Sequence, residues 1–174
     1  VPMNRGDLGT KKINLVLQSI FNPQKPGMPQ FQRGEEFFRP GDKVIQCANN
    51  YDLGVFNGDI GIINNVNVDG GKLIVTFGDR VVAYTSQAAM DLHLAYAITI
   101  HKSQGSEFRA VIMLLSMQHF VMLQRNLVYT GLTRARDLAV FIGEKRALQK
   151  AVRTKDSLHR QTHLKERIQA LMLH

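Results

Sequence analysis

Three continuous apolar segments, at residues 95–100, 111–115 and 138–142, restrict this chain to a small number of folds. Strands that are apolar throughout, without alternating polar residues, are typical of parallel sheets covered on both faces. Residues 118–136 separate the second and third segments and predict a long helix, or two helices with a bend near Asn126. Two apolar strands joined by a helical crossover predict an α/β domain with a parallel sheet.

The first apolar segment ends in a polar loop, residues 101–107, that holds a histidine, a lysine, two serines, a glutamine, a glycine and a glutamate. In open α/β sheets, ligands bind at the carboxyl ends of the strands. Gly105 lets the backbone approach a phosphate or a ribose without a Cβ in the way. Hydroxyl, imidazole and ammonium groups, as on Thr99, His101 and Lys102, all donate to phosphate oxygens. The loop therefore predicts a site for a nucleotide or a nucleic acid.

Between residues 39 and 86 the pattern changes to short strands separated by tight turns. Turns rich in Gly and Asp precede candidate strands at residues 43–48, 60–68, 72–77 and 80–85. Four or five strands in fewer than about fifty residues predict a small SH3-like barrel, whose thin core should depend on the host domain. Stacking on bases is one use for its aromatic side chains, but core packing is the favoured role for most of them. They are Tyr51, Phe56, Phe77 and Tyr84.

The two ends of the chain predict helices, and a linker follows the first of them. Residues 1–22 predict the end of a strand, a turn and a helix with an apolar face of Ile13, Val16, Leu17 and Ile20. Residues 21–34 hold three of the five prolines and predict a linker at a domain boundary. Residues 144–152 predict an amphipathic helix with Ala147, Leu148, Ala151 and Val152 on one face. A last helix is indicated by Leu164, Ile168 and Leu171.

Composition narrows the class of partner. The chain has 22 Lys and Arg against 14 Asp and Glu, a formal net charge of +8, which favours nucleic acid over an anionic membrane surface. No apolar run approaches the roughly 20 residues of a membrane helix. Cys47 is the only cysteine, which excludes an internal disulfide and predicts a cytoplasmic protein. The histidines have no zinc-site spacing with it, so we expect no metal site.

Two segments resemble the fifth and sixth signature motifs of superfamily-one helicases, most of all those of the RecD family. Residues 95–108 read Ala-Tyr-Ala-Ile-Thr-Ile-His-Lys-Ser-Gln-Gly-Ser-Glu-Phe, and residues 127–136 read Leu-Val-Tyr-Thr-Gly-Leu-Thr-Arg-Ala-Arg. Residues 2–9, with 17–18 and 21–23, resemble the fourth motif. The resemblance implies the second of two RecA-like motor domains with an inserted SH3-like β-barrel. Its regions would be the start of the motor domain at 1–35, the barrel at 36–88, and the rest of the motor domain with the C-terminal helices at 89–174.

The same resemblance implies roles for single residues. Arg134 would be the catalytic arginine finger that reaches the γ-phosphate of ATP, a contact to which a planar guanidinium is suited. Glu107 would accept hydrogen bonds from the ribose hydroxyls. The nucleotide would be contacted by Arg5, Gln104, Gly105, Glu107 and Arg136. The DNA backbone would be contacted by Thr99, His101, Lys102 and Ser103.

The chain has no Gly-x-x-x-x-Gly-Lys-Ser/Thr loop and no acidic pair after a buried strand, so the ligands of Mg²⁺ are expected outside it. The resemblance covers the carboxyl-terminal part of a RecD-like protein, a 5′-to-3′ DNA helicase that uses ATP and Mg²⁺. Alone, such a fragment should be inactive. The implied partners are single-stranded DNA, ATP, an amino-terminal RecA-like domain and nuclease or helicase subunits. Two alternatives stay open: the helicase part of a conjugative relaxase, and a non-catalytic module that binds nucleic acid or docks a subunit.

Overall fold

The computed structural model describes residues 1–68 and 70–155. The helices are α1 (Thr10–Phe21), α2 (Arg125–Leu132) and α3 (Lys145–Arg153), with short 3₁₀ helices at Ala88–Asp91, His101–Ser103 and Met117–Met122. The strands are β1 (Phe31–Arg33), β2 (Glu36–Phe38), β3 (Lys43–Gln46), β4 (Ile60–Asn67), β5 (Lys72–Phe77), β6 (Arg80–Thr85), β7 (Leu92–Leu94), β8 (Phe108–Leu115) and β9 (Ala135–Gly143). Asp69 and the predicted helix with Leu164, Ile168 and Leu171 lie outside the described residues.

The middle of the chain forms a five-stranded antiparallel sheet in the order β6-β5-β4-β3-β7. Alternate residues of β5 and β6 are buried, as expected for strands with one face on a core. The predicted strands at 72–77 and 80–85 are confirmed to the residue. Residues 87–94 contain a 3₁₀ helix and the fifth strand of the sheet, β7, so the sheet continues past residue 88, where the barrel was expected to end.

Residues 21–34, predicted to be a linker, contain part of a hairpin. β1 pairs antiparallel with β2, and Phe38 at the end of β2 is fully buried in the core of the five-stranded sheet. Core packing, the role favoured for most of the four aromatics in this region, is found for two of them, Phe77 and Tyr84. The other two aromatics, Tyr51 and Phe56, are exposed and contact each other edge to face, with ring centroids 6.0 Å apart.

Helix α1 has a buried face that is polar, and the apolar face predicted for it is wrong. The helix buries Thr10, Asn14 and Gln18, which are spaced four residues apart, whereas Val16 and Ile20 are exposed. Polar side chains are buried at low cost only when their hydrogen bonds are satisfied. That condition is met here by partners far away in the sequence, which a helical pattern cannot reveal.

The segment 95–100 is not a strand of a sheet, which corrects the first strand prediction. The Asn14 side chain takes the place of a neighbouring strand: its Nδ2 donates to Leu94 O at 3.0 Å and to Ala97 O at 2.9 Å. Its Oδ1 accepts from Ala97 N at 2.8 Å. Because a side chain satisfies these backbone groups, the segment is held in an irregular conformation.

The predicted parallel pairing is confirmed for β8 and β9, which contain the apolar segments at 111–115 and 138–142. The helical crossover is shorter than predicted, because the 3₁₀ helix Met117–Met122 precedes α2 and the chain enters β9 at Ala135. Arg136 therefore lies on a strand and not on a helix. Helix α2 packs closely on β8, since a Cβ at Gly131 would come within 2.5 Å of Met113 Sδ.

Helix α3 matches its prediction in part. Ala147 and Ala151 are fully buried against the same core as Leu115 and Leu123, but Val152 is exposed. No helix in the described ranges, 1–68 and 70–155, has the length and apolar character needed to cross a membrane.

One buried carboxylate, that of Asp42, joins α1 to the five-stranded sheet. Its Oδ2 accepts from Gln18 Nε2 at 2.6 Å and from Arg39 N at 2.7 Å. Its Oδ1 accepts from Asn22 Nδ2 at 2.7 Å and from the Tyr96 hydroxyl at 2.8 Å. Burial and this carboxylate raise the pKa of the Tyr96 hydroxyl, so the hydroxyl remains a donor.

We expect Asp42→Ala to destabilise the fold by at least about 2 kcal/mol, because it leaves four donors without their acceptor and each unpaired buried group costs about 1–3 kcal/mol. Urea denaturation measures this as a lower midpoint. Asp52→Ala is the matched control, since Asp52 is exposed, and should change stability by less than about 0.5 kcal/mol. Equal midpoints for the two variants would show that the Asp42 hydrogen bonds are not needed.

Candidate nucleotide and nucleic-acid site

The polar loop at residues 101–107 begins as a 3₁₀ turn, passes through Gly105 and enters β8. Gly105 has a φ of +83°, a conformation that L side chains rarely adopt, while no atom beyond its two neighbours in the chain lies within 4 Å of the place where a Cβ would stand. Glycine is therefore required by the backbone conformation rather than by lack of space. The loop leaves open volume beside this glycine.

Arg134 follows α2 and lies against this loop. Its Nη1 donates to Ser106 O at 3.3 Å, and its Nη2 donates to Thr133 Oγ1 at 3.4 Å. Its backbone oxygen accepts from Phe108 N at 2.8 Å. The Nε atom is buried and has no hydrogen-bond partner within the described chain. Two long hydrogen bonds and one unpaired buried donor leave the guanidinium able to bind an anion.

The loop and Arg134 meet because the strands that follow them are parallel neighbours. Phe108 at the start of β8 pairs with Ala135 at the start of β9. The site therefore lies at the amino ends of β8 and β9, after a segment that is irregular. This corrects the expectation of a site at the carboxyl end of a paired strand.

Most of the other residues predicted to contact a nucleotide are close in the chain to the loop or to Arg134, and one is not. Gln104 and Glu107 are exposed in the loop, next to Gly105, and Arg136 is exposed two residues after Arg134. Arg5 is exposed in the turn before α1. In the described ranges no hydrogen bond or ion pair connects the Arg5 side chain with the loop. The loop residues among them are thus neighbours in the chain of Ser106, which Arg134 contacts, and Arg136 is close to Arg134 in the chain, whereas Arg5 is not.

The four residues predicted to contact DNA do not share one surface. Ser103 is buried and its hydroxyl donates to Ile100 O at 2.6 Å, so it stabilises the turn. Thr99 is also buried, and its Oγ1 accepts from Lys102 N at 3.2 Å. His101 is exposed and lines a cavity of about 100 Å³ with Gln104 and residues of α2. DNA contacts by these side chains stay predictions.

Thr99 and Lys102 line a different cavity, and most of its other residues were not singled out from the sequence. Lys11 and Asn14 come from α1, while Glu36 and His93 come from β2 and β7. These residues are far apart in the sequence, and only the packing of α1 on the sheet brings them together. The net charge of +8 is a general signal for such a basic surface, without indicating its members.

The carboxylate that lines this cavity, that of Glu36, is already paired with cationic side chains. Glu36 Oε2 lies 2.6 Å from Arg33 Nη2 and 3.7 Å from His93 Nδ1. Burial favours the neutral carboxyl, but the hydrogen bonds and charges of His93 and Arg33 outweigh it and lower the pKa of Glu36 to about 2. Glu36 is therefore ionised and paired at neutral pH.

The residues around Arg134 do not form a magnesium site. Within residues 1–68 and 70–155, no group of three or more His, Cys, Asp or Glu side chains is arranged to hold a metal ion. The loop contributes one carboxylate, Glu107, and a Mg²⁺ site held by protein needs further oxygen ligands or a bound phosphate. The unpaired donor of Arg134 does fit the phosphate end of a nucleotide.

Two family models match the chain. One, described as the ATP-dependent RecD-like DNA helicase SH3 domain, matches residues 13–77. The other, described as the UvrD-like helicase C-terminal domain, matches residues 94–142. The first match covers most of α1 and the strands β1 to β5, and the second covers the region that contains the loop and Arg134.

Individual relatives agree with the family models. The chain is 42% identical over 170 residues to a protein of Deinococcus radiodurans named ATP-dependent RecD2 DNA helicase, which covers 97% of this chain and 23% of that protein. It is 34% identical over 144 residues to the RecBCD enzyme subunit RecD of Haemophilus influenzae, covering 82% and 21% of the two chains. The chain thus spans less than a quarter of the length of these relatives.

Solved structures show the same fold at lower identity. The crystal structure of a Pif1 helicase from Bacteroides in complex with ADP-AlF3 and ssDNA aligns with a TM-score of 0.58 and 19% identity, covering 87% of this chain and 41% of that one. Another structure of Bacteroides Pif1, bound to ssDNA, aligns with a TM-score of 0.57 and 18% identity, covering 81% and 40%. The chain therefore belongs to the RecD-like helicases and contains their SH3 domain and their UvrD-like C-terminal region.

Proposed function

We propose that this chain is the second motor domain of an ATP-dependent 5′-to-3′ DNA helicase, in which it supplies the arginine finger and part of the track for single-stranded DNA. The observation that carries the proposal is the Arg134 guanidinium, which has a buried donor without a partner beside the Gly105 loop. An unpaired buried donor costs about 1–3 kcal/mol, and a ligand that accepts from it would recover that cost.

The chemistry assigned to Arg134 is stabilisation of charge on the transferred phosphoryl group. Negative charge is redistributed over the γ-phosphoryl oxygens at the transition state, where a preorganised cation acts most strongly. A guanidinium presents two donors in one plane and so fits two of these oxygens. Glu107, exposed in the same loop, is assigned to the ribose hydroxyls, and Gly105 permits the close approach of the nucleotide.

The other half of the ATP site is assigned to an amino-terminal RecA-like domain in the same protein, with the phosphate-binding loop and the ligands of Mg²⁺. In this scheme the two motor domains close on ATP and open after hydrolysis, and each cycle moves the DNA. The 42% identity to a protein named as a RecD2 helicase supports the assignment. This chain alone is expected to hydrolyse no ATP.

The DNA track is assigned to the segment 99–103 and to the SH3 domain beside it. His101 is exposed, and Lys102 lines the cavity between α1 and the sheet, with its Nζ 2.8 Å from Cys47 Sγ. We assign the SH3 domain, closed as a small barrel, to the wall along which the strand moves. The exposed pair Tyr51 and Phe56 gives that wall two aromatic faces that could stack on bases.

In the full-length helicase, Arg134→Ala should lower kcat and kcat/KM for ATP together by about 10³-fold or more, because the lost contact is made in the transition state. Binding of ATP and DNA should change little. Arg134→Lys should recover only part of the activity, since an ammonium lacks the planar fork. Steady-state ATPase assays with single-stranded DNA measure kcat and KM for both variants.

The matched control for this experiment is Arg109→Ala. The Arg109 side chain is 89% exposed and pairs with Asp137 at 3.1 Å on the surface of β8. The Arg109→Ala variant should retain wild-type turnover. A circular dichroism melt of each variant checks the fold. ATPase activity near the wild-type level in a folded Arg134→Ala variant would remove this residue from the active site.

Glu107→Ala should raise the KM for ATP more than it lowers kcat. A ribose contact that is equally strong in the ground and transition states contributes uniform binding, and its loss appears in KM. The same variant assayed with a 2′,3′-dideoxy nucleotide should behave like the wild type, because both hydroxyls are then absent. An unchanged KM with ATP would mean that Glu107 does not contact the ribose.

A further inference from the structure

Helix α3 carries four cationic side chains on the side that does not pack against the core. The helix buries Ala147 and Ala151 completely. By helical spacing the cations lie along one continuous side, away from this buried stripe. Three of them are exposed and one is half-buried. We call this surface the α3 basic face, and its members are Lys145, Arg146, Lys150 and Arg153.

No carboxylate balances the α3 basic face. Glu144 is the only acid between residues 144 and 155. Its Oε1 accepts from Ser116 Oγ at 2.7 Å and from Met117 N at 2.9 Å, so this carboxylate holds the start of the preceding 3₁₀ helix. Within residues 1–68 and 70–155, the four cations make no ion pair. The face therefore has an excess positive charge that an anionic partner would offset.

The charges of α3 do not stabilise the helix itself. Lys145 and Arg146 lie in its first turn, where a cation opposes the helix dipole. Arg146 and Lys150 are four residues apart, and like charges at this spacing destabilise a helix. Helix stability thus does not account for this pattern. A partner that neutralises the cations would remove the repulsion.

The chemistry of the face fits a duplex better than a single strand. Proteins that bind single strands combine a basic groove with aromatic side chains on which bases stack. Phe120, an aromatic beside α3, already has the Lys150 ammonium 3.5 Å from its ring centroid. The helix lines neither of the two cavities described above. A convex surface of cations contacts phosphates, which a duplex presents on its outside.

The length of the face also fits a duplex backbone. From Lys145 to Arg153 the helix rises by about 12 Å. One strand of B-DNA carries a phosphate for about every 3.4 Å of helix axis, so this distance corresponds to about three to four phosphates. A rigid helix can therefore place several cations along one strand of a duplex.

The α3 basic face is separate from the nucleotide site. Helix α3 begins at the carboxyl ends of β8 and β9, where Glu144 N donates to Leu115 O at 2.9 Å. Arg134 and the Gly105 loop lie at the amino ends of these strands. The eight residues of β8 span about 23 Å between the two ends. The segment 99–103 precedes β8 and is also at the far end.

We propose that the α3 basic face binds the phosphate backbone of double-stranded DNA, independently of its sequence. This contact goes beyond the proposed function, which assigns a nucleotide and a single strand to other parts of the chain. It gives the domain a second nucleic-acid surface, at the opposite end of the β8–β9 pair from the nucleotide site.

The test is the salt dependence of binding to a fluorescein-labelled blunt-ended duplex, measured by anisotropy with the 174-residue chain. Each phosphate neutralised on B-DNA contributes about 0.9 to the slope of log K against log salt concentration. The double variant Lys145→Ala with Arg153→Ala should therefore reduce the slope by about 1.8. On an oligothymidylate the slope should equal that of the wild type. The variant should melt no lower than the wild type, because alanine favours a helix.

The matched control is the double variant Lys25→Ala with Lys72→Ala. Both lysines are exposed, lie outside α3 and make no ion pair in the part of the chain that the structure describes. The control removes the same charge and should keep the wild-type slope on the duplex. The exchange Lys145→Arg with Arg153→Lys preserves the charge of α3 and should also keep it.

The outcomes separate this proposal from the proposed function. Equal duplex slopes for the wild type and the α3 variant would overturn it. An equal reduction in the Lys25 and Lys72 variant would also overturn it, since net charge would then explain the effect. A reduction as large on oligothymidylate as on the duplex would assign the face to a single strand instead. A wild-type chain that binds no duplex overturns this proposal and leaves the assignment of Arg134 unaffected.

Discussion

The buried side chains of Asp42 and Asn14 fix how α1 packs on the five-stranded sheet and on the segment that follows it. Hydrogen bonds are directional, so four donors on one carboxylate define how α1 sits on the sheet more narrowly than apolar contacts would. Asn14 then holds residues 94–97 through three hydrogen bonds. The segment 99–103 follows directly, so its position depends on this polar contact between α1 and the sheet.

The position of Arg134 depends on the parallel pairing of β8 and β9. Their register places Arg134 beside Ser106, at the amino ends of both strands. Gly131 allows α2 to approach Met113 closely, and this approach determines where the chain leaves the helix for Arg134. The assigned nucleotide contacts therefore lie in this region of the chain, and the short segment 99–107 connects it with the cavity beside α1.

Local patterns predicted the parts of the fold that are determined locally. The strands at 72–77 and 80–85 follow from turn residues and alternation, and the parallel pair follows from continuous apolar segments. Errors occurred where distant partners decide the structure. The buried face of α1 is polar because Asn14 binds residues 80 and 83 positions away. The cavity residues Lys11 and His93 come from separate elements, so no motif predicts them.

The most direct test of this account is a crystal structure of the full-length protein with single-stranded DNA and ADP-aluminium fluoride, a mimic of the transferred phosphoryl group. The account predicts that Arg134 leaves the Ser106 carbonyl and that its guanidinium, including Nε or Nη atoms, lies within about 3 Å of the fluoride ligands. An Arg134 side chain that stays on Ser106, with another cation at the fluoride, would contradict the account.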